Sequence, residues 1–332
     1  MEGGKAMQIL QQRDKKTIMT KKLLPAILVS IFAIASCTKT ARVEPTPTPV
    51  DSTIYYTYSM SSIYTSLKVV PRTVVLNPAL GGSFVGNSGT IYTFPANAFQ
   101  TVSGGAVTGN INLDLSEYIK RGDMMFSRIL PVSDGNALVS GGELQVTAYQ
   151  GGTKLMLKPG FNFTAVIPQL GAISTGMQFF YGQTVNTSVN PVNWHPTATW
   201  GGAGTTTYIG DTIAVQSDSL GLVAAGRFLT SPNYQTFSLT IDGPQFDDSD
   251  HVQAYALFDN NRVVYPMAAR YHQKISETHV PNVPVHFVVW GIYHGDFYGG
   301  ISTNITPLNG WAYTMSIVKV NPITFLAQVN AL

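Results

Sequence analysis

The 332-residue chain has one cysteine, Cys37. A single thiol forms no disulfide within its own chain, so this is not a disulfide-stapled fold. Charge is scarce as well: 11% of residues are Asp, Glu, Lys or Arg, against roughly 25% in an average soluble domain. Six of the 20 basic residues (Lys5, Arg13, Lys15, Lys16, Lys21 and Lys22) and two of the 18 acidic ones (Glu2 and Asp14) precede Cys37. From Cys37 onward the chain carries 14 basic and 16 acidic side chains, a net charge of −2. No basic stripe remains to track a phosphate backbone, which argues against a nucleic-acid partner. Catalytic signatures are also missing. The chain has no Gly-x-Ser-x-Gly elbow, no His-Glu-x-x-His, no P-loop and no dinucleotide fingerprint. No catalytic residue is assigned, and no cofactor is expected. Long apolar runs are missing too: the most extended one, residues 23–35, has 13 residues. At about 1.5 Å per helical residue it falls well short of a hydrocarbon core about 30 Å thick.

That run has a clear reading. Lys21 and Lys22 precede it, and the small residues Ala35 and Ser36 lead to Cys37. A basic start, an apolar segment and small residues at the end make a secretory signal peptide. Ile34-Ala35-Ser36-Cys37 resembles a bacterial lipobox. The resemblance implies diacylglycerol on the Cys37 thiol, cleavage just before it, and acylation (palmitate or a similar chain) of the new terminus. Several acyl chains, at about 0.8 kcal/mol per buried CH₂, anchor a protein stably. Residues 1–36 are thus expected to be a lipoprotein signal peptide, with Met19 as the expected true start. Residues 37–56 include Pro45-Thr46-Pro47-Thr48-Pro49 and read as a lipid-anchored linker, a semi-rigid polyproline spacer. The expected location is the outer membrane. The periplasmic and cell-surface faces both stay open.

Beyond the linker the pattern is strand, turn, strand. Leu144, Val146 and Ala148 alternate, a Gly151-Gly152 turn comes next, and Leu155 and Leu157 resume the pattern. Phe161, Phe163, Ala165 and Ile167 alternate in the same way. Period-two runs bounded by Gly, Asn, Asp and Pro are strand signatures. Residues 283–293, VPVHFVVWGIY, are apolar on both faces and are expected to lie beneath another layer. Helix is expected only near 116–120 and around 323–331, the latter also readable as a strand. The fold class is all-β in two regions, 57–170 and 171–332, with the elements of 171–230 left unplaced.

Residues 81–118 carry Gly81-Gly82, Pro95-Ala96-Asn97-Ala98-Phe99 and an alternating run from Val107 to Leu115. This series resembles the ZU5-type β-sandwich, and its continuation resembles uncharacterised Bacteroidota lipoproteins that pair such a module with a second β region. The resemblance implies a non-enzymatic interaction module over about 57–168. Self-cleavage at a His-Phe-Ser string, known in some relatives, is not carried over: Phe126-Ser127 lacks the His, and His286-Phe287 is followed by Val288.

Asp242, Asp247, Asp248 and Asp250 form the densest acidic cluster, with calcium ligation set against a solvated turn. His195, His251, His272, His279, His286 and His294 match no zinc spacing, so no metal is assigned. Trp194, Trp200, Trp290, Tyr293, Phe297, Tyr298 and Trp311 could stack on sugars or fill cores. Trp194 and Trp200, in a Gly/Pro/Thr-rich stretch, are expected to be exposed. Asp51-Ser52-Thr53, Asp211-Thr212-Ile213 and Asp218-Ser219-Leu220 are similar to a Bacteroidota O-glycosylation acceptor. The expected function is a non-enzymatic cell-envelope lipoprotein acting as a binding or scaffolding module. The alternative is a glycan-binding surface lipoprotein using exposed aromatics. The membrane is a partner through Cys37, a protein or glycan is the other, and the ligand-binding residues are left unassigned.

Overall fold

A computed structural model describes residues 57–172, 174–185, 190–230, 234–244, 246, 252–259, 262–267 and 274–332, the side chains of 234, 274 and 276–279 excepted. Cys37, the signal segment 1–36 and the linker 37–56 lie outside the described residues. So do Asp247, Asp248, Asp250, His251, His272 and the His279 side chain. The chain divides into Met1–Thr53 and one compact unit, Ile54–Leu332.

The compact unit is mainly strand, as expected. In one sheet, β1 (Arg72–Leu76), β5 (Ile111–Tyr118), β7 (Asn136–Gln150), β14 (Gly221–Phe228), β10 (Gln178–Thr184) and β11 (Val192–Pro196) pair antiparallel in that order. Short strands β4 (Phe99–Thr101), β6 (Val132–Ser133) and β8 (Thr153–Leu157) extend it. The Gly151-Gly152 turn, both residues at positive φ, joins β7 to β8 as the sequence indicates. A second sheet orders β12 (Thr205–Ile209), β13 (Thr212–Ser217), β9 (Phe163–Pro168), β3 (Ile91–Phe94) and β2 (Gly82–Val85). Leu144, Val146 and Ala148 of β7 share a buried core with Phe163, Ala165 and Ile167 of β9 and Ile213 and Val215 of β13. The division expected at 170 falls inside this sandwich. β13 pairs with β9 and β14 with β7, so residues 178–228 cover edges that the strands of 57–170 would leave bare.

The Gly-rich stretch before β3 has a local explanation. Glu117 is buried, and its carboxylate accepts from the N–H groups of Ser88 (2.6 Å) and Thr90 (2.9 Å). A side chain at Gly86 would put its Cβ 2.2 Å from that carboxylate, so only glycine lets the loop close over it.

A second pair of sheets completes the unit. β18 (Lys274–Pro281), β15 (Tyr234–Asp242) and β21 (Trp311–Ser316) form one, with β15 and β21 parallel. β17 (Val263–Met267), β16 (Val252–Phe258), β19 (Val285–Tyr293), β20 (Asp296–Ile301) and β22 (Val318–Lys319) form the other. Phe237 stacks on Phe287 between them, 4.6 Å between centroids and 9° between planes. The opposite face of β19 is covered too. There Trp290 packs on Phe126 (5.2 Å), Phe297 (5.6 Å) and Tyr64 (5.3 Å). These partners and their neighbours come from β20 and from helices α1 (Met60–Leu67), α2 (Arg121–Ser127) and α4 (Pro322–Asn330). β19 is therefore buried on both sides, as its apolar faces indicate.

Two helix expectations change. Residues 116–118 finish β5, and the helix begins at Arg121, because Ser116, Glu117 and Tyr118 keep their ladder to β7. At the C-terminal end the helical reading holds over the strand one: Asn321 caps α4 through the N–H groups of Ile323 and Thr324, and Pro322 occupies its first turn. α1 was not anticipated; a Ser59–Ser62 capping box starts it. None of the described helices is long and apolar enough to cross a membrane.

Candidate functional site

The most distinctive surface on the described residues is an aromatic shelf on the outermost strands of the first sandwich. Tyr181 of β10 and His195 of β11 are directly opposite each other in the antiparallel ladder. Their rings therefore leave the same face of the sheet. A four-residue helix, α3 (Thr197–Trp200), then carries Trp200 back over them. The indole lies 4.9 Å from the His195 ring at 25° and 6.2 Å from the Tyr181 ring at 22°. Both rings stack on the indole, and Trp200 is still 45% exposed.

Polar ties fix the support. The Tyr181 hydroxyl donates to Asp218 Oδ1 (2.6 Å) and accepts from Gly204 N–H (2.7 Å), while Ala203 N–H donates to Asp218 Oδ2 (2.9 Å). Burial first, and the Asp218 carboxylate next, push the Tyr181 hydroxyl up to about 12, so it stays a proton donor. The loop after Trp200 passes so close to the ring that a Cβ on Gly202 would lie 2.2 Å from the Tyr181 hydroxyl oxygen. On the other side, His195 Nε2 is 3.1 Å from Gln183 Oε1 and 3.3 Å from Asn193 Nδ2, and Asn193 donates to Asp134 Oδ1 (2.7 Å). The result is an open apolar plate rimmed by amides and a carboxylate.

Sequence expectations divide here. Trp200 is exposed, as expected. Trp194 is not: it is fully buried and its indole N–H donates to the Leu130 carbonyl (2.8 Å). The Gly/Pro/Thr-rich surroundings misled, because β11 alternates, and Trp194 shares the second core with Phe180 and Ala224. Trp290 and Phe297 are buried core residues, Tyr293 and Tyr298 are half-buried, and Trp311 is exposed against Phe237 and Tyr313. His286 holds the Ser302 carbonyl (2.8 Å) and faces Asp259 (3.3 Å), whereas His294 sits in a turn at φ 48°. Among the described residues no three His, Cys, Asp or Glu side chains gather to hold a metal ion. Asp242 accepts from the Ser316 hydroxyl (3.1 Å). Asp218, noted for an acceptor motif, is the tie that braces Tyr181.

Comparison with known families and with curated proteins finds no match to this chain.

Proposed function

We propose that the chain is a non-enzymatic binding protein of the bacterial cell envelope, anchored by a lipid on Cys37, whose aromatic shelf receives a saccharide. One observation carries the ligand class: an indole stacked on two rings, nearly half exposed to solvent, with amides near its rim. The apolar C–H face of a pyranose matches such a plate, and amide and carboxylate groups match its hydroxyls. The Tyr181 hydroxyl, paired with Asp218, is buried beneath the shelf, so binding is the reading the shelf supports. The lipobox-like Ile34-Ala35-Ser36-Cys37 and the Pro/Thr spacer support the envelope address. The ZU5-like segment supports an interaction module, and a protein partner on the same platform is the second reading.

Affinity electrophoresis through gels carrying different polysaccharides tests this. The full chain should be retarded by at least one, and Trp200→Ala should lose about 1–2 kcal/mol of affinity, roughly ten-fold. Retardation that is identical for wild type and Trp200→Ala on every gel removes the shelf as a sugar site.

A further inference from the structure

A second site lies at the seam between the two sandwiches. It begins with a bulge. Opposite β14, residues Ser140 and Gly142 of β7 pair with Gly226 and Ala225, so Gly141 is an extra residue. Ser140 Oγ accepts from Gly142 N–H (2.9 Å), and the Gly141 carbonyl accepts from Gln169 (2.9 Å). Bulges of this kind re-aim a strand next to sites. Here Ser140 N–H donates to the Arg262 carbonyl (2.8 Å), which joins the two sandwiches.

Beside this joint is a cavity of about 360 Å³, within the size range of small-molecule pockets, roughly 300–1,000 Å³. Its walls include Lys120, Arg121, Ser140, Gln169, Asp259 and Arg262. Arg121 is only 8% exposed and is fixed by donating to the carbonyls of Phe258 (2.6 Å), Asp259 (3.4 Å) and Leu332. Asp259 is the one wall carboxylate among these six, and it faces His286 at 3.3 Å. Three cations thus surround the space. Arg262 also reaches the cavity wall, while its Nη1, which has no hydrogen-bond partner among the described residues, is sealed behind that wall. The nearby Glu143 is also buried, and its Oε2 is without a partner among them too. Burial raises the Glu143 carboxyl to about 8, so at neutral pH it keeps its proton and leaves the guanidinium charge unneutralised.

We propose that this seam cavity binds a small oxyanion, a carboxylate or phosphate group, on the Arg262 guanidinium, with Arg121 and Lys120 supplying fixed positive charge around it. A guanidinium presents parallel N–H donors that match both oxyanions in bidentate geometry. The position between two packed sandwiches is where ligand cavities concentrate.

Calorimetric titration of the full chain with inorganic phosphate, and separately with succinate, tests the site. Saturable binding of phosphate alone assigns a phosphate ligand, of succinate alone a carboxylate ligand, and of both the shared oxyanion chemistry. Arg262→Gln should weaken the bound ion at least ten-fold, while Trp200→Ala should leave it unchanged. If Arg262→Gln does not fold, Lys120→Ala at the exposed mouth decides, with a several-fold loss expected. No saturable heat from either ion, or unchanged affinity in the deciding variant, overturns the proposal. A loss in Trp200→Ala equal to that in Arg262→Gln overturns it as well, whereas failure of the saccharide reading leaves this result untouched.

Discussion

Glu143 gives a stability prediction whose sign and size come from its position. It lies on β7, fully buried near Arg262, and its carboxyl is raised from an ordinary 4.5 to about 8. Desolvation is the main cause; the Ser140 hydroxyl and the Arg262 charge oppose it only in part. The unfolded chain releases this proton near the ordinary value, and the folded chain keeps it until about pH 8. Between those limits the folded state binds more protons, so stability falls as pH rises. The slope is about 1.4 kcal/mol per pH unit, and the whole interval amounts to about 5 kcal/mol as an upper figure. In Glu143→Gln the amide fills the same space and does not titrate. The variant should therefore gain on wild type by several kcal/mol between about pH 4.5 and 8. Urea unfolding followed by tryptophan fluorescence, in buffers without phosphate or carboxylate, measures the difference at each pH. Subtracting the two proteins cancels the histidines and every other common group. A difference that stays constant across the interval would show Glu143 already ionised in the fold as a buried partner of Arg262, and the reasoning would be refuted.

Three further outcomes are expected. Gly202→Ala drives a Cβ into the Tyr181 hydroxyl, so it should cost about 1–3 kcal/mol and displace Trp200; loss of saccharide retardation in a folded variant checks it. Trp290→Ala empties the centre of the helix-covered core and should cost about 3–5 kcal/mol, read as a large fall in melting temperature. Cys37→Ala should yield an uncleaved precursor without lipid, seen by mass spectrometry; a variant processed and membrane-held like wild type would remove the anchor. Under the envelope reading proposed above, proteinase K on intact cells should distinguish a cell-surface from a periplasmic position.

How much of this was legible in the sequence depended on how local each interaction is. Period-two runs announced β7, β9 and both buried faces of β19, because strand alternation is written in adjacent residues. The Gly151-Gly152 turn was readable for the same reason. The extent of the first sandwich was not. β14 and β13 are the partners that complete its sheets, and they lie some 50 to 80 residues from β7 and β9. Pairing at that range leaves no mark in either strand. α1 was hidden by its composition, since MSSIYTSL has few strong helix formers. It exists because Ile63 and Leu67 complete the second core and a capping box fixes its start.

The two sites divide along the same line. Trp194 and Trp200 sit six residues apart in one composition, yet one is core and the other shelf. Parity settles the first: Val192 and Trp194 point one way on β11 and His195 the other. The second needs the turn of α3 after Pro196, which ends the strand's alternation and brings the indole back over His195. The Gly-Gly just after Trp200 was the available signal, since a loop that must pass within contact of an aromatic ring tolerates no side chain there. For the seam cavity no such signal exists. Arg121, Glu143 and Arg262 belong to a helix, a strand and a hairpin, and only the docking of one sandwich on the other makes neighbours of them. A buried carboxyl that stays protonated beside a half-buried arginine, one of whose nitrogens is buried and unpaired among the described residues, is costly for folding. That cost is a reason to look for the anion that would relieve it.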